Sequence, residues 1–375
     1  MSERLRVCVV TAFGGTGGSE SWLRSLLAAT DGLEVDAVLL SDGPLAGQLR
    51  ELGATVTVDP VGRSPLDLAR AVLRLRQHLR RTRPDVVLGN VLKAQLVAAP
   101  AARSLRIPSV LAKHDHNYDG TLARPVALMS TRVIAAVEEL AEATRRADAV
   151  IIPPPRPARP PLTRPEARAL LAAGGVVLGD APVLAMAGRL VPFKAVQDAI
   201  EALAKPEAAA WELVVLGDDD PASPGEGARL AREAARVGVA DRVRFAGHVD
   251  EVSRLLAGFD ALAILTRPLS RRDPAREGFG TAAFEAMLAG VPVVAVAGSA
   301  VARRLEDRAG VVVSPGDIEA IARALGDLTD PATRVRMGTA GRELTADHPD
   351  AAACARLLVD VLRDAAAQRR PDSSR

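Results

Sequence analysis

Short apolar runs alternate with helical patterns along most of this chain. In the first half, the apolar runs lie near residues 5–11, 35–40, 54–59, 85–89, 108–112 and 148–152. A second series lies near residues 182–187, 212–217, 242–246, 260–265, 291–296 and 310–313. Buried strands that alternate with helices are typical of parallel sheets with right-handed crossovers. The pattern therefore predicts an α/β fold with two doubly wound, Rossmann-like domains, which we expect to face each other across a cleft.

A proline-rich segment separates the two series. Residues 151–165 read IIPPPRPARPPLTRP, and seven of these fifteen residues are proline. Proline fixes φ and lacks an N–H donor, so the segment predicts an extended linker. We expect one domain over residues 1–160 and a second over 161–347. Residues 348–375 predict an amphipathic C-terminal helix that ends in a disordered tail.

Composition narrows the classes of function. The formal net charge is only +2 and 2% of the residues are aromatic, which argues against a nucleic acid partner. Cys8 and Cys354 are too few for a disulfide framework or a metal cluster, as expected in a reducing compartment. The first apolar run is short and ends in glycines, and no segment has 18 uncharged apolar residues. We therefore expect a soluble, cytoplasmic protein.

Two carboxylates bracket a glycine turn near residue 280. Residues 277–285 read EGFGTAAFE, and the turn Gly278-Phe279-Gly280-Thr281 stands where a helix should begin. The unpaired N–H groups and partial positive charge of a helix N-terminus can receive a phosphate. Glu285, about one turn inside the helix, can then bind ribose hydroxyls, and Glu277 can meet the group that the phosphate carries. The alternative is a glycine-capped helix with two solvated glutamates.

A pair of cations follows another predicted strand. Residues 182–194 read PVLAMAGRLVPFK, so Gly188 and Arg189 leave the strand and Lys194 comes five residues later. Fixed cations at the carboxyl end of a strand can hold a diphosphate. The alternative is that both cations are simply solvated.

Four motifs of the chain resemble those of the retaining glycosyltransferases of family 4, which have the GT-B architecture. They are GGTGGSE at 14–20, GRLVPFK at 188–194, DRVRFAGHVDEV at 241–252 and EGFGTAAFEAMLAGVPVVA at 277–295. The chain departs from the family at Phe193, where Glu is usual, and at Ala195, where Gly is usual.

The resemblance implies roles for particular residues. It places a histidine at a strand end to contact the donor sugar, and His114 in LAKHDHNYDGT (residues 111–121) is the position that we match to it, with His116 as the alternative. It also implies that backbone groups near Gly247 and His248 hold the nucleotide base. The catalytic set is then His114, Arg189, Lys194 and Glu277, and the C-terminal helix is expected to return to the first domain.

The first strand runs into a glycine-rich loop. Gly15, Gly17 and Gly18 allow close backbone approach, so N–H groups of this loop can face either a donor diphosphate or an acceptor. A dinucleotide fingerprint that starts at Gly15 fails at its third glycine, where Glu20 stands. The positions that we expect on the acceptor side are Gly15, Glu20, Asn90, Lys93 and His116.

Two groups of polar residues are candidate metal ligands. Lys113, His114, Asp115 and His116 should project into the cleft, but neighbouring side chains of an extended backbone point in opposite directions and do not easily share one ion. Asp218, Asp219 and Asp220 resemble an Asp-x-Asp metal motif. Because Arg189 and Lys194 would already supply the positive charge, we interpret the triplet as a polar turn and expect neither a metal site nor a cofactor.

The helix predicted over residues 66–83 has an apolar face of Leu68, Val72, Leu75 and Leu79 with arginines beside it. Packing on a core is the favoured interpretation, and peripheral contact with a membrane is the alternative.

We therefore expect a retaining glycosyltransferase that moves a hexose-type sugar from a nucleoside diphosphate sugar to a small molecule, a glycan or a lipid. A nucleotide-sugar epimerase of the same architecture and a non-catalytic nucleotide-sugar-binding protein are the alternatives. The sequence leaves the sugar, the base, the acceptor and the oligomeric state open.

Overall fold

The structure is a computed structural model that describes residues 4–15, 17–62, 64–221, 223–269 and 276–368. The chain divides into two compact units. Unit 1 comprises Met1–Arg156 and Pro349–Arg375, and unit 2 comprises Pro157–His348. The predicted disordered tail, PDSSR at 371–375, lies outside the described residues.

The N-terminal part of unit 1 alternates strands and helices. Its elements are β1 (Leu5–Thr11), α1 (Gly18–Ala28), β2 (Leu33–Leu39), α2 (Leu45–Glu51), β3 (Thr55–Val58), α3 (Pro65–Thr82), β4 (Val86–Asn90), α4 (Leu92–Arg103), β5 (Ser109–Lys113), α5 (Ala123–Met129), β6 (Arg132–Ala135), α6 (Glu138–Thr144) and β7 (Val150–Ile151).

These strands form a parallel sheet in the order β3-β2-β1-β4-β5-β6-β7. Strands β4 and β5 are buried at every residue, as expected for a sheet that is covered on both faces. The order reverses between β1 and β4, where Thr11 lies opposite Asn90 in the register. In open α/β sheets such a switch point is where ligands bind.

Strand β6 was missed by the apolar pattern. Its sequence, Arg132-Val-Ile-Ala135, is short and merges with the apolar residues that follow it, so no turn residue marks its end.

Helix α3 begins with a capping box. Ser64 Oγ accepts a hydrogen bond from the N–H of Asp67, whose carboxylate in turn accepts one from the N–H of Ser64. Leu75 and Leu79 are buried, and Leu68 and Val72 pack against the same core at partial exposure. The helix therefore packs on the sheet with the face that the sequence predicted.

Unit 2 has its own sheet. Its elements are α7 (Arg164–Ala173), β8 (Val183–Ala187), α8 (Val196–Leu203), β9 (Glu212–Leu216), α9 (Glu226–Arg236), β10 (Val243–Gly247), α10 (Val252–Leu255), β11 (Ala261–Ile264), α11 (Thr281–Ala289), β12 (Val293–Val296), α12 (Ala300–Arg304), β13 (Gly310–Val313), α13 (Ile318–Asp327) and α14 (Pro331–Thr345), with short 3-10 turns that include Pro192–Lys194.

The strands of unit 2 are also parallel, in the order β10-β9-β8-β11-β12-β13. The order reverses between β8 and β11, which gives this unit a second switch point. Trp211 and Phe259 are fully buried, each in one of the two cores that flank the sheet. The expected fold class, two doubly wound Rossmann-like domains, is confirmed.

The last helix, α15 (Ala351–Ala367), belongs to unit 1 and packs against α1. Its apolar face, which includes Leu358 and Leu362, joins the core beneath β1. Residues 152–163 of the proline-rich segment have no helix or strand, and the two units divide within it. No helix in the described part of the chain is both long and apolar enough to cross a bilayer.

Candidate functional site

A polar cluster in unit 2 surrounds the switch point of its sheet. It consists of residues just beyond β8 and β11, in the turn before α11 and in α11 itself: Gly188, Arg189, Lys194, Thr266, Glu277, Gly280 and Glu285. We call this the unit 2 cluster. A crevice lined in part by Gly188, Arg189, Lys194 and Thr266 opens beside it.

Glu277 is the centre of this cluster. Its Oε2 accepts hydrogen bonds from Lys194 Nζ at 2.7 Å and from Thr266 Oγ1 at 2.8 Å. Lys194 is held in a 3-10 turn and Thr266 is buried just beyond the end of β11. The structure thus joins two residues that the sequence predicted separately. It also shows that Glu277 is tied to Lys194 and Thr266, whereas the sequence suggested an unattached carboxylate.

Gly280 shapes the start of α11. Its φ is +75°, a left-handed conformation that glycine adopts at little cost, and an added Cβ would lie 2.2 Å from Val301 Cγ2. The helix has no side-chain cap, and its first backbone bond runs from Phe284 N to Gly280 O at 3.1 Å. The N–H groups of the first turn, beginning with Thr281, therefore have no acceptor within the helix.

Arg304 supports the turn from behind. It stacks over the ring of buried Phe279, 4.0 Å from the centroid, and donates to the carbonyl of Phe279 at 2.8 Å. The neighbouring Gly278 is half-buried. Sequence reasoning missed Arg304 because an arginine 25 residues away carries no local signal of this contact.

Glu285 is half-buried on α11. Burial raises the pKa of its carboxyl from 4.5 to about 7, with no contribution from a neighbouring charge. A carboxyl that has lost water without gaining a cation is suited to hydrogen bonds with hydroxyl groups.

Arg189 is not an unattached cation either. It forms an ion pair with Asp220, although its own side chain is 67% exposed. Asp219 accepts from the N–H groups of Gly225 at 2.6 Å and Gly227 at 2.7 Å, and so holds the start of α9. Two carboxylates of the aspartate triplet therefore bond to the protein, in keeping with a polar turn.

The remaining predicted positions of unit 2 lie at the end of β10. Gly247 accepts from Gly217 N at 2.7 Å through its carbonyl. His248 is exposed and forms a hydrogen bond with Asp250 at 3.1 Å. Its side chain is therefore solvated, and the structure places only the backbone of this turn next to β9.

Unit 1 holds a second cluster at its own switch point. It consists of Thr11, Ser19, Trp22, Asn90 and His114, which we call the unit 1 cluster. Asn90 is fully buried and bonds His114 Nε2 at 2.9 Å and the carbonyl of Ser19 at 3.2 Å. The ring of His114 meets Trp22 edge-on at 4.7 Å. Burial and the charge of Lys113 lower the pKa of His114 to about 3, so the ring is neutral.

The glycine-rich loop borders this cluster. Gly17 precedes α1 without a side-chain cap, and an added Cβ there would lie 2.5 Å from Glu20 Oε2. Gly18 is the first residue of the helix, whereas Gly15 is exposed and has open space around it. Glu20, predicted on the acceptor side, is buried and accepts from Ser19 Oγ at 2.8 Å.

One prediction for the loop after β5 needs correction. Lys113 does not project outward, because its side chain is buried and pairs with Asp119 at 2.5 Å. His116 bonds the same carboxylate at 2.8 Å. Lys113 is the last residue of β5, and its ammonium group bonds the loop that follows the strand.

Lys93 is exposed in the first turn of α4, with its Nζ 5.2 Å from the ring centroid of Phe13. This is a cation–π arrangement on the surface of unit 1.

Comparisons with known proteins agree with this geometry. A family model described as "Glycosyl transferase 4-like domain" matches residues 17–159, and one described as "Glycosyl transferases group 1" matches residues 181–330. The crystal structure of Anabaena Alr3699/HepE with UDP and glucose is similar with a TM-score of 0.80 at 21% identity, over 96% of this chain and 100% of that chain. This likeness shows the fold.

Two curated relatives illustrate the range of activities. The D-inositol 3-phosphate glycosyltransferase of Streptomyces scabiei is 37% identical over 43% of this chain and 36% of its own. The alignments to the first curated relatives span only 35% to 45% of those proteins. The 2-deoxystreptamine N-acetyl-D-glucosaminyltransferase of Streptomyces fradiae is 31% identical over 71% of this chain and 68% of its own. With both units matched by glycosyltransferase models, the chain belongs to the glycosyltransferases of the GT-B architecture.

Proposed function

We propose that the protein transfers a hexose-type sugar from a nucleoside diphosphate sugar to a hydroxyl or amine of an acceptor, with retention of the anomeric configuration. The observation that carries this proposal is the arrangement around α11. An uncapped helix N-terminus lies between Glu277, bonded to Lys194, and the desolvated carboxyl of Glu285. Retention itself comes from the resemblance to family 4.

Each group of the unit 2 cluster has a role in this proposal. The first-turn N–H groups of α11 receive a phosphate, and Glu285 binds the ribose hydroxyls. Glu277 orients the sugar. Arg189 and Lys194 stabilise the departing diphosphate as negative charge develops on it, and the leaving phosphate takes the proton of the acceptor. In unit 1, His114 contacts the sugar.

The ion pairs of the cluster are compatible with this role. Lys194 can keep Glu277 as a partner and still use its remaining N–H donors for a phosphate oxygen, because an ammonium group has three. Arg189 is largely exposed, and its guanidinium has five N–H donors, so it can keep the buried Asp220 as a partner and still bind a diphosphate.

We propose that catalysis requires no divalent metal. The carboxylates of Asp219 and Asp220 already bond backbone N–H groups and Arg189, which leaves the aspartate triplet poorly suited to hold an ion.

The names of the two relatives indicate inositol phosphate and 2-deoxystreptamine as their acceptors. A polyhydroxylated ring of this kind is the acceptor that we propose to test first, with glycan and lipid acceptors next.

We also propose a cytoplasmic location, since Cys8 and Cys354 are both free and buried.

Thermal shift measurements with UDP, GDP, ADP and dTDP, with Mg²⁺ or with EDTA, test the donor site. A nucleotide at 100 times its Kd should stabilise the fold by about 2.7 kcal/mol. We expect one nucleotide to shift the melting temperature without metal, and the shift to be lost in Arg189→Ala. The matched control is Arg232→Ala, which removes an exposed arginine of α9. Failure of every nucleotide to bind would overturn the proposal.

Turnover separates the proposal from its two alternatives. A transferase consumes the nucleotide sugar only when an acceptor is present, and NMR of the product reports the anomeric configuration. Consumption of the donor without an acceptor would indicate an epimerase. Tight binding without turnover across the acceptor panel would indicate a binding protein.

A further inference from the structure

The orientation of the Asn90 side chain is fixed by its neighbours. Asn90 ends β4, opposite Thr11 of β1, and is fully buried. Its Nδ2 lies 3.2 Å from the carbonyl oxygen of Ser19 and 3.5 Å from Thr11 Oγ1. Because a carbonyl oxygen only accepts hydrogen bonds, the amide must present its NH₂ group to Ser19. The amide oxygen then faces His114.

This orientation determines which nitrogen of His114 carries the proton. The amide oxygen of Asn90 lies 2.9 Å from His114 Nε2, and an amide oxygen only accepts. Nε2 must therefore be protonated. A neutral imidazole carries one N–H, so Nδ1 keeps a lone pair and acts as an acceptor.

The ring plane of His114 is also held. Trp22 packs edge-on against it, and Trp22 is in turn fixed by a hydrogen bond from Nε1 to the carbonyl of Ile152 at 3.1 Å. Both rings therefore have little freedom to rotate.

The backbone next to Asn90 is strained. Val91 has φ +73° and ψ +157°, a region that is almost confined to glycine and is very rare for a β-branched residue. Its N–H bonds the carbonyl of Ala112 at 2.9 Å, and its side chain is buried. Such strain persists only where surrounding contacts over-determine it, so the position of Asn90 is tightly specified.

We propose that Asn90 is a positioning residue, which holds His114 in the Nε2–H tautomer so that Nδ1 accepts a hydrogen bond from a hydroxyl of the transferred sugar. The contact with the sugar rests on the proposed function, whereas the tautomer does not. An acceptor at Nδ1 favours a hydroxyl over a ligand oxygen that carries no proton. It also means that His114 does not donate a proton to the departing group through this nitrogen.

Long-range ¹H–¹⁵N correlation spectra of the full chain without ligand test the tautomer. The signals of His114 are assigned by comparison with His114→Gln. We expect a protonated Nε2 and an unprotonated Nδ1 in the wild type, and a mixture of tautomers in Asn90→Leu. Asn117→Leu, which changes an exposed asparagine nearby, should leave the pattern unchanged. A protonated Nδ1 in the wild type would overturn the proposal, and this result does not depend on whether Asn90→Leu folds.

Ligand titration tests the contact with the sugar. A nucleoside diphosphate sugar should move the Nδ1 resonance of His114, and the matching nucleoside diphosphate should not. In kinetics, Asn90→Leu should lower kcat/KM for transfer by at least about tenfold, which corresponds to a loss of about 1.4 kcal/mol of transition-state stabilisation. The affinity for the nucleoside diphosphate should be unchanged. Equal resonance shifts with both ligands, or unchanged transfer, would refute this role. If the wild type transfers no sugar, the proposed function fails, and the spectra still decide whether Asn90 sets the tautomer.

Discussion

Replacement of Glu285 by glutamine is expected to remove a pH dependence from the stability of unit 2. Burial raises the pKa of this carboxyl from 4.5 to about 7. In the folded state the group therefore holds its proton over a pH range in which the unfolded chain has lost it. Its contribution to stability is complete below about pH 4.5 and is lost as the pH rises through 7. Glutamine does not titrate and should show no such loss.

The size of the effect follows from the shift. One pKa unit corresponds to about 1.4 kcal/mol, so the change from 4.5 to about 7 sets a ceiling of about 3 kcal/mol. Because the side chain is half-buried and retains some contact with water, we expect about 1 to 3 kcal/mol. The free energy of unfolding of the wild type, relative to that of Glu285→Gln, should fall by this amount between pH 4.5 and 8.

Urea unfolding at intervals across this pH range measures the difference. Trp211 lies fully buried in unit 2 and Trp22 lies in unit 1, so a Trp22→Phe background makes fluorescence report on unit 2. The control is Glu207→Gln, which changes an exposed carboxylate of the same unit. Parallel pH curves for the wild type and Glu285→Gln would refute the reasoning that Glu285 is desolvated.

A bound nucleotide should reduce the loss of stability that Glu285 causes as the pH rises. Ribose hydroxyls donate hydrogen bonds to the ionised carboxylate and so lower the pKa of Glu285 in the complex. At saturation, a nucleoside diphosphate should flatten the pH dependence, whereas its 2′,3′-dideoxy analogue should not. Equal effects of the two nucleotides would show that Glu285 does not bind the ribose.

Three further substitutions test individual features of unit 2. Gly280→Ala should lower the free energy of unfolding by at least about 2 kcal/mol and weaken nucleotide binding, because Gly280 has a left-handed φ and an added Cβ clashes with Val301. Urea unfolding and thermal shift measure the two effects. The control is Gly179→Ala, at a site with open space. Asp260→Ala should lower the free energy of unfolding in urea by about 3 to 5 kcal/mol, because three arginines lose the buried carboxylate with which they pair. Unchanged stability would contradict this prediction. Ala195→Gly should raise the stability of unit 2 by up to about 1 kcal/mol, because Ala195 has φ +55°, and a lower melting temperature would contradict the strain argument.

The sequence predicted most of the fold because the signal is local. Every strand that the structure describes, except β6, appears in the sequence as an apolar run. The strand ends also located Asn90 and Arg189, since the carboxyl ends of parallel strands meet at one edge. The turn before α11 was predicted from its glycines and its two flanking carboxylates. Thr266 could have been found by the same argument, because it stands just beyond the apolar run near 260–265.

The partners of these residues could not be read from the sequence. Lys113 and His114 are neighbours at the end of β5, but the pleat turns Lys113 to the carboxylate of Asp119 and His114 to Asn90. Their different roles depend on Asp119 and on a strand 24 residues earlier in the sequence. Periodicity gives the side of the sheet that a residue faces, but it does not give the group that it meets there.

Ala195 shows how a departure from a family pattern gains a physical meaning. The sequence shows only that alanine replaces the usual glycine. The structure keeps the left-handed conformation that glycine would adopt, with Ala195 buried and Lys194 still bonded to Glu277. The bond between Lys194 and Glu277 and the packing of α8 therefore outweigh a local cost of about 1 to 2 kcal/mol. Because the chain accepts this cost and keeps its cation in place, the position of Lys194 is more strictly specified than the identity of the residue that follows it.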